Sequence, residues 1–289
     1  MKKALSLVLG MALMGTALLT GCGSSKDTNA SATSTDVTAE TSSSEGGTFK
    51  VGLECGYAPF NWTQMDDSNG AVPIDGGSEY AGGYDVEIAK KIAEGLGKEL
   101  VIVKTEWDGL VPALVSGKID AIIAGMSPTE ERKQTIDFSE NYYKSDLVMV
   151  VKKGGAYEKV TKLSDFSGAK ITGQLNTFHY TVIDQIEGVQ KQVAMESFPT
   201  MRVALESGVI DGYVSERPEG ISATSANDKF AMVALEDGFK TSDDDTAIAV
   251  GLQKDSALTT QINEILSSIS EEERTTIMDV AIVNQPAAN

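Results

Sequence analysis

The sequence contains very little cysteine or histidine. Its 289 residues include two cysteines, Cys22 and Cys55, and a single histidine, His179. Zinc and iron sites in proteins are built mainly from clustered cysteine and histidine side chains, and no such cluster can form here. We therefore expect no metal site and no cofactor.

The sequence also lacks the short glycine-rich motifs of nucleotide-binding and hydrolase sites. GxxxxGK[ST], GxSxG and GxGxxG do not occur between a predicted strand and a predicted helix, so nucleotide hydrolysis and common hydrolase chemistry lack support. Basic residues are in the minority, with 24 Lys and Arg against 42 Asp and Glu and a net charge of −18. This acidity argues against nucleic acid as a partner and against broad contact with anionic lipid.

The first 21 residues have the pattern of an export signal. Two lysines precede an apolar run over residues 4–19, which is shorter than the about 20 residues that span a membrane. The next residues, LTGC ending at Cys22, resemble a bacterial lipobox. We predict a signal peptide over 1–21 and a Cys22 that carries diacylglycerol and palmitate, anchoring the protein to the outer face of a Gram-positive cytoplasmic membrane. The alternatives are a plain secretory signal cut near Gly21 and an uncleaved anchor.

The composition changes sharply after the signal. Residues 22–47 contain almost no large apolar side chains, so this tract cannot offset its ordering entropy by burial and is predicted to be a disordered tether. The folded part starts near Thr48 and is long enough for two medium lobes. With Cys22 used for lipid, Cys55 has no disulfide partner, and we predict a buried, inert thiol.

Apolar periodicity alternates between strand and helix patterns throughout the folded part. Such alternation indicates α/β lobes with mainly parallel central sheets. Strands are predicted at 49–54, 100–104, 119–124, 170–173, 210–214 and 246–252, and helices at 84–96, 110–116, 181–187, 200–207 and 256–268.

Two segments of the chain resemble each other. ALVSGKIDAIIA (113–124) and ALESGVIDGYVS (204–215) are identical at six of twelve positions. Both predict the end of a helix, a glycine turn and a strand that leads into a polar loop. Because ligands of open α/β sheets bind at the carboxyl ends of strands, the repeat suggests two similar lobes that each offer one loop to a site. A helix–Gly–strand unit that recurs by chance is the alternative.

The loop after the first repeat, GMSPTEER (125–132), has a structural and a functional interpretation. SPTE (127–130) predicts a capping box with proline at the first helical position. That pattern does not account for Arg132, which follows one turn later. A guanidinium at a helix start suits a carboxylate ligand.

Two longer stretches carry a family resemblance. GYDVEI (83–88) with the apolar residues after it, and the block from Trp107 to Tyr143, resemble the extracellular solute-binding proteins of amino acid ABC importers. The resemblance extends from Thr48 to about Val283. It implies an α/β, periplasmic-binding-protein-like (type II) clamshell of two lobes with two hinge crossings. The implied bounds are 48–148 plus 252–286 for lobe 1, 154–243 for lobe 2, and 147–153 and 246–253 for the hinges.

The function implied by the resemblance is that of a receptor and not an enzyme. It would be a monomer that binds a free L-amino acid with a polar side chain, a cationic one being an option, and delivers it to an ABC-type permease. Closure of the lobes on the ligand would be the signal.

A free amino acid is a zwitterion, and a closed cleft must satisfy both of its charges. The resemblance places the carboxylate at Arg132 and Ser127 of lobe 1. On lobe 2 it points to the loop that starts at Gln174, with Thr177 and the Phe178 backbone as donors.

The ammonium group needs a negative partner from the facing lobe. The resemblance gives this role to Glu216, where the family more often has Asp, and adds the Gly125 carbonyl. A surface carboxylate before Pro218 is the alternative for Glu216. The ligand side chain would meet Glu54, Tyr57 and Trp107, although both aromatics also suit a hydrophobic core.

Two other functions stay open at this point. An amino acid sensing module would use the same fold, but sensors of this type usually continue into a transmembrane segment, and none follows the folded part before Asn289. A dehydratase-type enzyme would need an acid–base pair in the cleft. Glu54, Glu216 and His179 are the candidates for it.

Overall fold

The computed structural model describes residues 46–286. The predicted signal peptide, the lipidation site Cys22 and the tether as far as residue 45 lie outside the described residues. Within 46–286, none of the helices combines the length and the apolar character needed to cross a membrane.

Strands and helices alternate along this part of the chain, as the apolar periodicity predicts. The strands are β1 (Thr48–Leu53), β2 (Gly56–Tyr57), β3 (Asn61–Gln64), β4 (Val72–Pro73), β5 (Tyr80–Gly82), β6 (Glu99–Lys104), β7 (Ala121–Ile122), β8 (Asp137–Lys144), β9 (Leu147–Lys152), β10 (Lys170–Thr172), β11 (Gln190–Lys191), β12 (Gly212–Glu216), β13 (Phe230–Val233) and β14 (Ala247–Leu252). The helices are α1 (Tyr84–Gly95), α2 (Trp107–Val115), α3 (Glu130–Lys133), α4 (Phe178–Thr181), α5 (Phe198–Ser207), α6 (Arg217–Ala226), α7 (Asp243–Thr246), α8 (Leu258–Ser268) and α9 (Glu271–Asn284).

Two five-stranded sheets form the centres of two lobes. The first has the order β6-β1-β7-β14-β8 and the second β11-β10-β12-β9-β13. In the first, β14 is antiparallel to both neighbours while β6, β1 and β7 are mutually parallel. In the second, β9 takes the place of β14. Each sheet therefore has four strands in one direction and one against them, and the smaller sheet β2-β3-β5-β4 contributes Tyr57 to the site described below.

The two segments predicted as hinges lie mostly within these antiparallel strands. The segments 147–153 and 246–253 were expected to cross between the lobes, but almost all of each lies in a sheet, as β9 and β14. β14 also belongs to the first sheet from Ala247 onward, five residues before the predicted lobe boundary. The sheets are connected by 145–146 and by 234–246, and the Ser145 N–H donates to the Thr246 carbonyl at 3.0 Å. The sequence does not reveal where the chain leaves one sheet for the other, because β9 and β14 are almost entirely apolar and largely buried in their sheets.

The internal repeat is confirmed as a structural repeat. Helices α2 and α5 are both followed by a glycine with positive φ, +76° at Gly117 and +79° at Gly208, a conformation that favours glycine. An aspartate at the same position of each repeat makes the same hydrogen bond. Asp120 accepts from the Lys50 N–H and Asp211 accepts from the Lys170 N–H, each at 2.8 Å. Each unit thereby tethers its strand to the neighbouring parallel strand.

Other elements differ from the predictions in length. The strand expected at 119–124 is regular only over β7, although every residue of the run except the exposed Asp120 is buried. The helix expected at 181–187 starts earlier, as α4, and continues as a single 3-10 turn over Val182–Gln185. Two β-branched residues in sequence, Val182 and Ile183, disfavour a longer α-helix there.

The C-terminal region contains two helices. The predicted α8 packs on β8 and α1 of the first lobe, with Ile262 and Leu266 fully buried on one face. The second helix, α9, was not predicted. The Ser270 side chain caps its start by accepting from the Glu273 N–H at 3.1 Å, and the helix packs on both α1 and α6.

Candidate ligand-binding cleft

The carboxyl ends of the central strands of both lobes face a common seam, which is closed in this structure. Gln174 of the second lobe donates its side-chain N–H to Glu54 of the first, with Nε2 3.1 Å from Oε1. Asn176 Nδ2 donates to Asp108 Oδ1 at 2.8 Å. The rings of Tyr57 and Phe198 stack across the seam with centroids 4.4 Å apart. The predicted site residues lie along this seam.

The loop after β7 begins its helix two residues later than predicted. The N-cap of α3 is Thr129, whose Oγ1 accepts from the Arg132 N–H at 3.4 Å, and the predicted box starting at Ser127 does not form. Ser127 instead donates its hydroxyl to the Asp245 carbonyl, with Oγ 2.8 Å from the carbonyl oxygen. Ser127 is buried at the seam, and its hydroxyl ties this loop to the segment that returns from the second lobe.

The Arg132 guanidinium bridges the two lobes. Nη1 donates to the Ser127 carbonyl at 2.9 Å and Nη2 to the Asn176 carbonyl at 3.1 Å. Its Cζ lies 5.0 Å from the centre of the Trp107 ring, a cation–π arrangement. Burial lowers the pKa of Arg132 to about 10, so the side chain remains a cation at neutral pH. Both contacts are to carbonyls, and the cation has no acidic partner within salt-bridge distance among residues 46–286.

A cavity of 810 Å³ opens beside the guanidinium. It lies between α2 and α3 of the first lobe and α4 of the second. The predicted residues Trp107, Arg132, Thr177 and Phe178 line it.

The second-lobe loop is held by its own hydrogen bonds. Thr177 Oγ1 donates to the Gln174 carbonyl at 2.7 Å, and Asn176 has a positive φ of +56°. Phe178 is the first residue of α4, which directs the chain away from the seam. The loop thus holds Gln174 and Thr177, both buried, next to the first lobe.

Glu54 is a buried carboxylate at the end of β1. Both of its oxygens lie within 3.3 Å of Gln174 Nε2. Burial is the main cause that raises its pKa to about 7, and the hydrogen bond from Gln174 partly opposes this. A cation placed beside Glu54 would favour its ionised form. The neighbouring Cys55 is confirmed as a buried free thiol, and burial raises its pKa to about 12.

Tyr57 lies in a stack of aromatic rings. Its ring is 4.9 Å from that of Phe60 and 4.4 Å from that of Phe198. The backbone of Gly125, which has a φ of +61°, packs against this ring. A Cβ at Gly125 would lie 2.6 Å from the Tyr57 ring, so only glycine allows this close approach. The Tyr57 hydroxyl is buried and has no hydrogen-bond partner in the described part of the chain. A core tyrosine would normally have one.

Glu216 is the last residue of β12 and is 1% exposed. A surface position, the alternative from sequence, is therefore wrong. Its Oε1 lies 3.3 Å from His179 Nε2. Burial, together with the nearby Glu219 carboxylate, raises the pKa of Glu216 to about 8.

Three residues of the cleft were not assigned to it from the sequence. His179 was considered only as an acid–base candidate, and Phe198 and Asn176 were not singled out. The position of His179 two residues after Thr177 is the one local signal that places it near the cleft. No local signal identifies Phe198, because its contact with Tyr57 joins residues 141 positions apart across the seam.

Residues 49–279 match the family described as bacterial extracellular solute-binding proteins, family 3. The chain belongs to this family. This family and the relatives below are solute-binding proteins and not enzymes. The predicted family and the predicted binding role are therefore confirmed.

Individual relatives in family 3 cover much of the chain. A probable histidine-binding protein of Campylobacter jejuni is 33% identical over 185 residues, which is 61% of this chain and 66% of the relative. The arginine-binding extracellular protein ArtP of Bacillus subtilis is 27% identical over 94% of both chains. A Streptococcus pneumoniae amino acid ABC transporter substrate-binding protein, solved with L-arginine bound, is 27% identical with a TM-score of 0.70, covering 83% of this chain and 96% of that one. The predicted two-lobed fold class is confirmed.

Proposed function

We propose that this family 3 protein is a lipid-anchored receptor for a free L-amino acid with a cationic or otherwise polar side chain, which it delivers to an ABC-type permease. The main support for a ligand with a cationic or polar side chain is the environment of Glu54. Glu54 is a buried carboxylate at the end of a central strand, next to the stacked Tyr57 and close to no cation in the described residues. A cationic side chain would supply that partner.

The zwitterionic part of the ligand has complementary groups at the seam. The Arg132 guanidinium donates hydrogen bonds to two carbonyls, and a ligand carboxylate is the stronger, bidentate partner for it. Glu216 is the anion for the ammonium group, and Gly125 offers a carbonyl. Ser127, Gln174, Thr177 and the Phe178 backbone would complete the enclosure, with Trp107 against the ligand.

The relatives support a cationic ligand. Arginine binding is part of the name of the Bacillus subtilis relative, and L-arginine is bound in the Streptococcus pneumoniae structure. The Campylobacter jejuni relative is named for histidine. A neutral amide ligand is the other member of the polar class, because a protonated Glu54 could donate to it.

Closure is the proposed mechanism of signalling. A ligand that contacts both lobes at once favours the closed form by the free energy of those contacts. The permease would then distinguish closed from open. The connections 145–146 and 234–246 are the proposed hinges, because they alone join the two sheets within residues 46–286.

Anchoring through Cys22 would keep the receptor beside its permease. Two acyl chains suffice for stable attachment, and one does not. Membrane fractionation of cells that produce the full chain tests this: the protein should sediment with membranes, and Cys22→Ala should release it.

A thermal-shift screen of the full-length protein against the twenty amino acids tests the receptor function. A ligand that binds only the folded form raises the melting temperature, and we expect the largest rise with L-arginine or another cationic amino acid. Calorimetry on the best ligand then gives the affinity. A screen with no shift for any amino acid would contradict the proposal, and a shift for glutamine but not arginine would contradict the cationic class.

A sensing module is the second function from the sequence, and it would use the same ligand site. Measuring uptake of the labelled ligand by cells that lack this protein distinguishes a transport receptor from a sensing module. Transport predicts that uptake falls and returns when the gene is restored.

A further inference from the structure

The His179 imidazole lies at the seam and has no role so far in the proposed receptor function. It is 5% exposed, and neither ring nitrogen has a hydrogen-bond partner among residues 46–286. Phe178 packs on one side with ring centroids 4.3 Å apart, and Phe198 packs edge-on at 6.2 Å. A buried polar group without a partner is unfavourable, so this position calls for one.

A carboxylate oxygen of Glu216 lies close to this ring. Oε1 of Glu216 lies 3.3 Å from Nε2 of His179, within reach of a hydrogen bond after a small adjustment of either side chain. Oε2, the other carboxylate oxygen, is buried and also has no partner in the described residues. One oxygen thus faces the imidazole and one is left over.

We propose that His179 is the residue that positions the Glu216 carboxylate for the ligand ammonium group: neutral His179 donates Nε2–H to Oε1, and Oε2 accepts from the ammonium. This inference rests on the proposed receptor function and adds a residue to it. Nδ1 of the same ring is then an acceptor, free for a ligand N–H. The arrangement gives a partner to each buried polar atom of the pair that now lacks one.

Burial and the nearby Arg132 cation favour a neutral imidazole. Burial and the Arg132 cation lower the pKa of His179 to about 3. A neutral ring has one donor and one acceptor nitrogen, which is what the proposed contacts need. An imidazolium would instead be a second cation beside the ligand ammonium, at a cost in repulsion. Glu219, the other carboxylate near Glu216, is already paired with Arg202 at 2.7 Å and does not compete.

Nitrogen NMR can read the tautomer directly. His179 is the only histidine in the sequence, so the untagged full-length protein labelled with ¹⁵N-histidine gives a single imidazole. With L-arginine bound at pH 7, we expect a neutral ring with the proton on Nε2. An imidazolium, or a ring with the proton on Nδ1, would overturn the proposal.

Two variants separate the hydrogen bond from packing. His179→Phe keeps a flat ring but removes the donor, and His179→Gln places an N–H donor near the position of Nε2. We expect His179→Phe to weaken L-arginine about 10- to 100-fold, the usual value of a hydrogen bond to a charged group. It should weaken 5-guanidinopentanoate, which lacks the amino group, less than about threefold. His179→Gln should bind both compounds within about threefold of the wild type.

The controls define the outcomes. Tyr180→Phe removes a polar group from the same helix, where the hydroxyl donates to the Gln192 carbonyl at 3.0 Å, and should leave both affinities unchanged. Equal losses for both compounds with His179→Phe, or a His179→Gln as weak as His179→Phe, would show a packing role only. If the wild type binds no amino acid, the receptor function is contradicted. If the wild type binds L-arginine but His179→Phe loses affinity equally for L-arginine and 5-guanidinopentanoate, only the role of His179 is contradicted. Should His179→Phe not fold, the NMR tautomer decides.

Discussion

At the scale of single residues, burial determines the charge with which the cleft meets a ligand. The sequence identifies Arg132, Glu54 and Glu216 as ionisable, and at the seam Glu54 and Glu216 are buried while Arg132 is half-buried. Burial raises the pKa of Glu54 to about 7 and that of Glu216 to about 8, while Arg132 remains charged. A ligand with a cationic group and a carboxylate would restore charge balance to each of them.

Arg132→Ala should abolish high-affinity binding of the amino acid. Removing a desolvated partner of a carboxylate costs about 2–5 kcal/mol, because the ligand charge then lies unpaired in the closed cleft. Calorimetry measures the loss. Arg132→Lys should recover only part of it, since an ammonium cannot form the bidentate contact.

The control is Lys229→Ala, which removes an exposed cation whose partner, Glu206 of α5, is not part of the proposed site or hinges. It should leave the affinity unchanged. An Arg132→Ala protein that is folded and binds with undiminished affinity would exclude the carboxylate assignment.

At the scale of elements, the corner between β12 and α6 holds the ammonium side of the cleft in place. Glu219, 0% exposed, accepts from Arg202 Nη2 at 2.7 Å, from the Tyr213 hydroxyl at 3.0 Å and from Ser215 Oγ at 2.6 Å. These bonds tie α5, β12 and α6 together directly behind Glu216. The corner is therefore held by a buried ionic network and not by apolar packing alone.

Glu219→Ala should lower the free energy of unfolding by about 3–5 kcal/mol, because it leaves the Arg202 charge and two hydroxyl donors without their acceptor. The matched control is Glu206→Ala, which breaks the exposed ion pair of α5 with Lys229 and should cost less than about 1 kcal/mol. Urea unfolding measures both. Similar losses for the two variants would mean that the buried network does not stabilise the corner.

At the scale of the whole molecule, the two lobes are similar units that meet through polar and aromatic contacts. The seam includes the Gln174–Glu54 hydrogen bond and the Tyr57–Phe198 stack, and the C-terminal α9 packs on a helix of each lobe. The closed form buries two carboxylates without a cation beside them. Ionisation of either one works against closure unless a ligand is present.

Raising the pH from 6.5 to 8.5 should open the ligand-free protein. A carboxylate whose pKa is raised in the closed form contributes its full stabilisation of that form at pH values below its ordinary pKa, 4.5. This stabilisation falls as the pH rises and is fully lost above about 7 for Glu54 and above about 8 for Glu216. His179 opposes this only below about 6.5, its ordinary pKa, because its pKa in the closed form is lowered. The radius of gyration from small-angle X-ray scattering should rise across this range.

Saturating L-arginine should remove the change, since the ligand would pair both carboxylates. The Glu54→Gln, Glu216→Gln double variant should show no change even without ligand. A radius of gyration that is constant for the ligand-free wild type would contradict this account of closure.

Much of the architecture follows from local patterns. The alternation of periodicities, the glycine turns of the repeat and the run of α8 are properties of neighbouring residues, and the structure reproduces them. The repeat also correctly predicted two similar units, and the structure adds that Asp120 and Asp211 accept equivalent hydrogen bonds in them. The predicted binding residues lie along one seam, while their contacts with a ligand stay a proposal.

Other features depend on which distant segments meet. The sequence by itself determined the family, the two α/β units and the loops that face each other. Only the tertiary structure decided that β9 and β14 run within the sheets, that Thr129 and not Ser127 caps α3, and that His179 lies against Glu216. The physical reason is that periodicity reports whether a side chain is buried, whereas its partner is set by the approach of residues far apart along the chain.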